Sequence, residues 1–236
     1  MSSISPDSDS PRATRSTAKT RSASRQGKKE ADQTTRGIIL MSAIRHFAAV
    51  GYEGAHVRKM LQDAGVNMAL AHYHFGSKAA LYDAALTYYL APVLADRRSR
   101  LDEWRAGDGP MEKRMADLFI AYIQPHFRIA AAPGGRDYAR LMLHALSSEN
   151  HRKFSLQAEI YALRAKYVEE LSRLTPGLDA KRRDIACNAL VSTMLYESLS
   201  LPAKSRDPDS VAFSHATCVA RLISGGLLSM MRDGQP

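Results

Sequence analysis

The feature that most restricts the fold is a tight turn between two short apolar segments at residues 57–74. The first segment ends at Gly65, and glycine is the residue that most readily adopts the left-handed conformation that closes a helix. Asn67 stands two positions later, where a side-chain oxygen can cap the next helix, residues 68–74. This spacing predicts a helix-turn-helix, whose second helix is short enough to lie in the major groove of DNA.

The segments on either side also have helical periodicity. Apolar residues recur every three or four positions from Thr34 to Gly51, which predicts one amphipathic helix that Gly51 ends. Ser77 predicts the cap of a long fourth helix, and Pro92 predicts that this helix bends or splits.

The remainder predicts more helices, separated by glycine- and proline-rich breaks at residues 107–110, 132–135, 175–177 and 202–208. No alternating strand pattern and no repeat of fixed period is present. We therefore predict an all-α chain of about nine helices. A three-helix helix-turn-helix domain at residues 33–82 precedes a helical body at residues 83–236.

Residues 1–32 differ from the rest in composition. Seven Lys and Arg and no acidic residue lie between Arg12 and Lys29, with almost no large apolar side chain. Such a segment buries too little surface to offset its ordering entropy, so we predict a disordered basic arm. Two roles remain open for it: an arm that wraps DNA, or an inert solubilising tail.

The net charge of +9 favours a polyanionic partner, either nucleic acid or an anionic membrane surface, although a basic solvated surface would give the same total. The apolar runs are too short to span a membrane, and the N-terminus has no apolar signal core. We therefore expect a cytoplasmic protein without a membrane partner. Cys187 and Cys218 cannot form a disulfide framework; we expect two buried small residues, with a redox switch left open.

An enzyme is disfavoured, because the chain has no GxGxxG, phosphate-binding loop, GxSxG or HExxH motif. His72 and His74 are two apart on a helix, so their imidazoles face different sides and a metal site is not expected. We expect no catalytic residue, metal or cofactor. The remaining alternative is a nucleoid-associated or membrane-surface protein that binds by charge alone.

Residues 34–81 resemble the DNA-binding domain of the TetR family of bacterial regulators. The matching elements are Phe47 with Gly51-Tyr52, the turn Ala64-Gly65-Val66, and residues 73–81, which read Tyr-His-Phe-Gly-Ser-Lys-Ala-Ala-Leu. Two positions depart from the family pattern. His56 stands where Ser or Thr commonly caps the second helix, and Leu61 stands where a small residue lets the helices approach.

The chemistry of this segment assigns candidate DNA contacts. Met68, Ala69 and His72 suit base edges in the groove, while Tyr73 suits a phosphate or, alternatively, packing between helices. A lysine at the start of a helix suits a phosphate, and the resemblance implies that role for Lys78. Phe75 is expected in the core. The full predicted set is Thr34, Thr35, Arg36, Arg58, Asn67, Met68, Ala69, His72, Tyr73 and Lys78.

The resemblance also implies a body that holds a small-molecule effector in a cavity and pairs with a second copy through its last two helices. The expected partners are then a near-palindromic double-stranded DNA operator, a second subunit and an unidentified effector, with repression as the outcome. Pocket residues are not assigned. The predicted dimer residues are Ile185, Ala189, Ser192, Tyr196, Val211, His215, Val219, Leu222 and Gly226, although the same apolar stripes would also fit a monomer core.

Overall fold

The computed structural model describes residues 15–147, 154–202 and 205–232, with side chains from Asp32 onward except those of Ala106 and Ser147. These ranges form nine α-helices and contain no strand, which confirms the predicted all-α architecture. The helices are α1 (Arg15–Gly54), α2 (Val57–Ala64), α3 (Met68–Phe75), α4 (Lys78–Ala106), α5 (Met111–Ala131), α6 (Gly135–Ser147), α7 (Gln157–Leu174), α8 (Ala180–Ser200) and α9 (Pro208–Arg232).

The first three helices pack on one another around a small apolar core. Phe47 of α1, Met60 of α2 and Ala71 of α3 are all buried there. The Ser42 hydroxyl donates to the Met60 carbonyl at 2.8 Å inside this core, so the contact between α1 and α2 is fixed by a buried hydrogen bond as well as by packing.

The N-terminal end of α1 differs from the sequence prediction. Residues 15–32, predicted to be disordered, continue the helix, while residues 1–14 of the predicted arm lie outside the described residues. Adding turns to a helix that is already packed avoids the cost of nucleation. Residues 15–32 contain no proline and one glycine, Gly27, so helical hydrogen bonding can extend through them.

The helical backbone of α1 is interrupted at Gly51, as predicted. Its φ of 70° and ψ of −176° lie outside the helical region, and the three residues that follow continue in a new direction. A Cβ atom at this position would lie 3.3 Å from Nδ1 of His144 on α6. Gly51 therefore marks both the end of the regular helix and the contact between the N-terminal domain and α6.

Helix α4 is continuous across Pro92, so of the two outcomes predicted there, a bend or a split, the split does not occur. Pro92 and the preceding turn at Tyr88 are exposed, whereas Val93 and Leu94 are buried. The hydrogen bond that proline cannot donate is therefore missing on the solvent side. Water can satisfy the carbonyl there while the opposite face stays packed.

Helix α5 is the centre of the body. It contacts α4, α6, α7, α8 and α9, and most of its residues from Leu118 to Ala131 are buried. Four of the five breaks between α4 and α9 fall where the sequence predicts them, but the break between α6, which ends at Ser147, and α7, which begins at Gln157, was not predicted. The body is thus a layered helical bundle built around one apolar helix.

Helix α9 combines a buried face with an exposed apolar face. Ala212, Ala216 and Ala220 are fully buried, and small residues at this spacing let α9 approach α5 closely. Among the described residues, α9 is the helix whose length and composition would also suit a membrane span, with 33% of that apolar stretch buried. The rest of the stretch is half-buried or exposed.

Candidate nucleic-acid interface and internal cavity

The turn between α2 and α3 is closed by backbone hydrogen bonds at the end of α2 and by a side-chain cap at the start of α3. Gly65 has φ 65° and ψ 28°, and its N–H donates to the Gln62 carbonyl at 3.1 Å. Val66 donates to the Leu61 carbonyl at 3.0 Å, which completes a Schellman motif. Asn67 Oδ1 then accepts from the Leu70 N–H at 2.9 Å and caps α3 as predicted.

Helix α3 presents one side to the interior and the rest to solvent. Ala71 is buried against the domain core, whereas Met68, Ala69, His72 and Tyr73 are exposed. Tyr73 is 75% exposed, so packing between helices, the alternative left open for it, is not its role in this structure. The outward side also includes Leu70, which was not predicted from the sequence.

Lys78 lies in the first turn of α4, beside the residues of α1 that follow Gly51. Its ammonium group lies 4.5 Å from the Tyr52 ring centroid and donates to the Glu53 carbonyl at 3.4 Å. Ser77 caps this helix as predicted, accepting from the Ala80 N–H at 3.1 Å. The positive charge is therefore held at the end of a helix whose free N–H groups also favour an anion.

The other predicted phosphate contacts lie on α1 and α2. Arg36 is exposed, with its guanidinium carbon 5.0 Å from the centre of the Phe75 ring, and Phe75 itself packs against the core as expected. Arg58 is exposed on α2. Thr34 and Thr35 precede Arg36 on the same helix, the first exposed and the second half-buried.

Both departures from the family pattern are visible on α2. His56 occupies the N-cap position with extended backbone angles, but its side chain makes no capping hydrogen bond. Leu61 is buried, so its larger side chain is accommodated inside the domain. The helix consequently begins without the side-chain acceptor that Ser or Thr would supply.

A cavity of about 130 Å³ lies inside the body. Its walls come from α4, α5, α6, α7 and α8 together with Phe154. Among the described residues, its lining is mostly apolar and aromatic, includes the basic side chains of Arg97 and Arg164, and includes no Asp or Glu. The lining residues are Leu90, Val93, Arg97, Tyr122, His126, Tyr138, Met142, Ala145, Leu146, Phe154, Ile160, Tyr161, Arg164, Val191, Met194 and Leu195.

Arg97 is the charged side chain most deeply buried in this cavity wall, with 6% of its surface exposed. Its Nε donates to the Tyr122 carbonyl at 2.7 Å, and its guanidinium carbon lies 4.0 Å from the centre of the Tyr122 ring. Nη2 lies 3.8 Å from the Met194 sulphur. Within the described part of the chain, no acidic side chain forms an ion pair with it.

His126 lies beside Arg97 and is buried as well. Its Nδ1 is 2.7 Å from the Tyr138 hydroxyl, and its Nε2 has no hydrogen-bond partner within the described residues. Burial, and then the Arg97 charge, lower the pKa of His126 to about 3, so the imidazole is neutral near neutral pH. Burial raises the pKa of Tyr138 above its ordinary value, which keeps that hydroxyl protonated.

These cavity residues were not predicted from the sequence, although a signal for them exists. Arg97 falls in the apolar series Val93, Leu94 and Leu101 of α4, at the spacing of one helix face. His126 interrupts the equivalent series on α5. A single polar residue within a buried apolar stripe indicates either a satisfied core group or a binding group.

A second concavity, of about 840 Å³, is a groove between the α4–α5 connection and α9. Charges of both signs line it, and some of them are already paired, as Lys113 is with Asp117 at 2.8 Å. Arg114 lies over the Trp104 ring at 4.2 Å here, with part of its surface exposed. No group of three or more metal-ligating side chains occurs in the described ranges.

The predicted dimer residues divide into two groups. Ile185, Ser192, Tyr196, Leu222 and Gly226 are exposed on α8 and α9, while Ala189, Val211 and His215 are half-buried. Val219 is a correction, since only 6% of its surface is exposed and it belongs to the core of its own chain. It lies three positions after Ala216 and one before Ala220, on the flank of the face that packs inward.

The two cysteines differ in environment. Cys187 is buried, as expected, and desolvation raises the pKa of its thiol. Cys218 is exposed on α9, so the expectation that both are buried is wrong for this residue. Cys218 directly precedes Val219 on α9. It therefore lies on a different side of the helix and faces away from the core.

Comparison with known proteins identifies the family. Residues 39–85 match the model described as bacterial regulatory proteins of the tetR family, and residues 120–223 match a tetracyclin repressor-like C-terminal domain. The transcriptional regulator BetI of Agrobacterium fabrum is 28% identical over 159 residues, covering 66% of this chain and 72% of that protein.

Solved structures share the fold at low sequence identity. FadR of Bacillus halodurans superposes with a TM-score of 0.52 at 19% identity, covering 80% of this chain and 98% of that one. PfmR of Thermus thermophilus superposes with a TM-score of 0.51 at 20% identity, covering 78% of this chain and 92% of that one. Because the two family models together span more than half of its length, this chain belongs to the TetR family of bacterial transcriptional regulators, which are not enzymes, with an N-terminal helix-turn-helix domain and a C-terminal ligand-binding domain.

Proposed function

We propose that the protein is a ligand-responsive repressor that binds a near-palindromic operator as a homodimer and is released by a small-molecule effector. The observation that carries this proposal is the outward side of α3, where Met68, Ala69, His72 and Tyr73 are exposed on a helix capped at its start and fixed by a closed turn. Because DNA is its partner, we expect the protein in the cytoplasm.

In this proposal α3 enters the major groove and the surrounding side chains hold the backbone. His72 can donate to or accept from a base edge, and Met68 and Ala69 can contact thymine methyl groups. Lys78 and Arg58 bind phosphates on either side, with Thr34, Thr35 and Arg36 on the flanking strand and the Tyr73 hydroxyl on an adjacent phosphate. Asn67 contributes by fixing the start of α3. Phosphate contacts then set the position of the protein, and base contacts set its sequence preference.

Dimerisation follows from the exposed apolar side chains of α8 and α9. Ile185, Tyr196 and Leu222 are each more than half exposed, although their helices pack against one another within the chain. Ser192 and Gly226 are small and exposed, which allows a second pair of helices to approach closely. A four-helix contact of this kind covers apolar surface that a monomer leaves in water.

The cavity is connected to the DNA-binding domain through α6. Tyr138 and Met142 of α6 line the cavity, and His144 of the same helix lies against Gly51 at the end of the regular part of α1. A ligand that shifts α6 therefore changes the position of the domain that carries α3. Release from the operator requires only that the ligand binds the shifted arrangement more tightly.

Selection of duplexes from a random DNA pool by the full-length protein tests this proposal. We expect enrichment of an inverted repeat whose half-sites lie about one helical turn apart, ~34 Å, or somewhat more. Enrichment without any common sequence would instead support binding by charge alone. Measured binding in the presence of unrelated competitor DNA separates the two outcomes, since only sequence-selective binding survives the competitor.

A further inference from the structure

We infer that the effector is an organic monocarboxylate, bound in the 130 Å³ cavity with its carboxylate on Arg97 and its apolar part among the surrounding aliphatic and aromatic side chains. This inference rests on the proposed function, since it takes the cavity to be the effector site. It names the chemical class of the ligand.

Arg97 carries a buried positive charge. A guanidinium group carries five N–H donors and stays protonated in proteins. The contacts of the Arg97 guanidinium within the described residues are a carbonyl oxygen, a weakly accepting sulphur and the face of the Tyr122 ring, none of which carries a negative charge. Buried charges are normally paired, because removing an ion from water is costly. A carboxylate in the cavity supplies the missing counter-charge and accepts two parallel hydrogen bonds from the guanidinium.

The tyrosines nearby cannot supply that charge. Burial raises the pKa of Tyr138 and of Tyr167 above the ordinary value and raises the pKa of Tyr89 to about 12. All three are therefore neutral phenols near neutral pH. The Tyr167 hydroxyl is also already used, since it donates to the Arg97 carbonyl at 2.7 Å.

His126 provides a second binding group. When Tyr138 donates its hydroxyl proton to Nδ1, the neutral imidazole carries its own proton on Nε2, the buried atom that has no partner among the described residues. A carboxylate held by Arg97 can accept from this N–H with its second oxygen. An unpaired buried donor is costly, so a ligand that satisfies it gains affinity.

The same cavity is poorly suited to a cation. Aromatic rings such as those of Tyr122, Tyr138 and Tyr161 can bind a quaternary ammonium group. Here, however, the Arg97 guanidinium already occupies the face of Tyr122, and Arg164 adds a second positive charge to the wall. The small volume and mostly apolar lining further favour a compact ligand with one charged group over a polyanion.

The test uses the full-length protein and matched probes. Isobutyrate, hexanoate and benzoate are each compared with the alcohol of the same skeleton and, for benzoate, with benzyltrimethylammonium. The readouts are the Tm and calorimetric titration. We expect at least one carboxylate to bind and raise the Tm, and its alcohol and the ammonium ion to bind at least about tenfold more weakly.

Variants then assign the site. Arg97→Met should weaken carboxylate binding by about 10- to 100-fold. Arg114→Met is the matched control, since it removes another guanidinium that lies over an aromatic ring but in the separate groove, and it should leave binding unchanged. If Arg97→Met fails to fold, the Nε2 resonance of His126 in the parent protein should shift on addition of the carboxylate and not of the alcohol.

Three results would overturn the inference: equal binding of carboxylate and alcohol, tighter binding of the ammonium ion, or no binding by any carboxylate in the series. Unchanged affinity in Arg97→Met would also overturn it. None of these results affects the outcome of the duplex selection, so the repressor function can stand when the ligand class fails. Carboxylate binding without any enriched operator would support the ligand class and refute the proposed repressor function.

Discussion

Single side chains in the body of this protein combine burial with unused hydrogen-bonding capacity. Arg97 and His126 are both almost fully buried, and together they bring a positive charge and an unpaired imidazole nitrogen to one cavity. Such groups cost stability when the site is empty, and that cost is recovered when a ligand pairs with them. The candidate DNA contacts Arg58, His72 and Tyr73 have the opposite arrangement, since their side chains face solvent.

The buried imidazole of His126 should make the free energy of unfolding depend on pH in acid. Desolvation and the Arg97 charge lower the pKa of His126 from 6.5 to about 3, so the unfolded chain binds one more proton than the folded chain between these values. The free energy of unfolding therefore rises with pH across that window, by at most about 1.4 kcal/mol per pH unit, and the contribution is complete above about pH 6.5. Arg97 of α4 and Tyr138 of α6 are the charged and titratable groups that face this imidazole.

We expect His126→Phe to reduce the pH dependence of the free energy of unfolding from pH 6.5 downward, as measured by urea denaturation at a series of pH values. Tyr138→Phe removes the same hydrogen bond and keeps the titrating group, so it should retain the slope of the parent protein. Equal slopes in His126→Phe and the parent would show that the imidazole does not remain neutral on folding.

Lys78 and His72 should differ in what they contribute to DNA binding. Lys78→Ala removes a phosphate contact, so we expect weaker binding to every duplex and a salt dependence shallower by about one unit of slope. His72→Ala removes a base contact and should change the preferred sequence. Lys113→Ala, an exposed change of equal charge on α5, is the control and should do neither. Binding indistinguishable from the parent in both of the first two variants would contradict the proposed interface.

At the scale of elements, the contact between α1 and α6 joins the N-terminal domain to the body. Gly51 has a positive φ, which residues with a side chain rarely adopt, and the His144 ring occupies the space beside it. This geometry joins the domain that carries α3 to a helix that lines the cavity. The turn at Gly65 and the cap at Asn67 act within the DNA-binding domain, where they fix α3 relative to α2.

Gly51→Ala should destabilise the protein by about 1–2 kcal/mol, because alanine would have to adopt a positive φ and its Cβ would lie close to His144. Gly37→Ala is the matched control within α1, since nothing lies within 4 Å of its Cβ position. It should be neutral or stabilise by up to about 1 kcal/mol. Urea denaturation of both variants measures the difference, and similar effects would remove the argument for strain at Gly51.

At the scale of the whole molecule, the exposed apolar faces of α8 and α9 are the proposed contact with a second copy. Helix α9 has two apolar faces, one packed on α5 and one exposed. Tyr196 is 72% exposed and Leu222 is 68% exposed, which is unusual for large side chains on the last helices of a packed body.

Tyr196→Arg combined with Leu222→Arg should raise the dissociation constant of the dimer by at least about tenfold, because the change places like charges opposite each other across a two-fold contact. Sedimentation at a series of protein concentrations measures this, and operator affinity should fall with it. Tyr88→Arg, a half-exposed tyrosine on α4, should leave the dimer intact. A parent protein that sediments as a monomer throughout would refute the proposed assembly.

Local chemistry made much of the architecture predictable. The bounds of α2, the left-handed Gly65 and the caps at Asn67 and Ser77 depend on residues within a few positions of one another, so the sequence alone determined them. The proposed contacts of α3 and Lys78 remain predictions, although their exposure and position agree with the roles assigned. The helical backbone of residues 15–32 was not predicted, because composition does not show how far a packed helix extends.

The cavity and the inward position of Val219 were decided by tertiary structure. Arg97 and His126 lie 29 positions apart on different helices, and only the packing of α4 against α5 brings them together. Periodicity identifies the apolar stripe on α9 but not which edge of the stripe faces α5. Helix formation depends on near neighbours in the sequence, whereas the burial of a charge depends on which distant helices surround it.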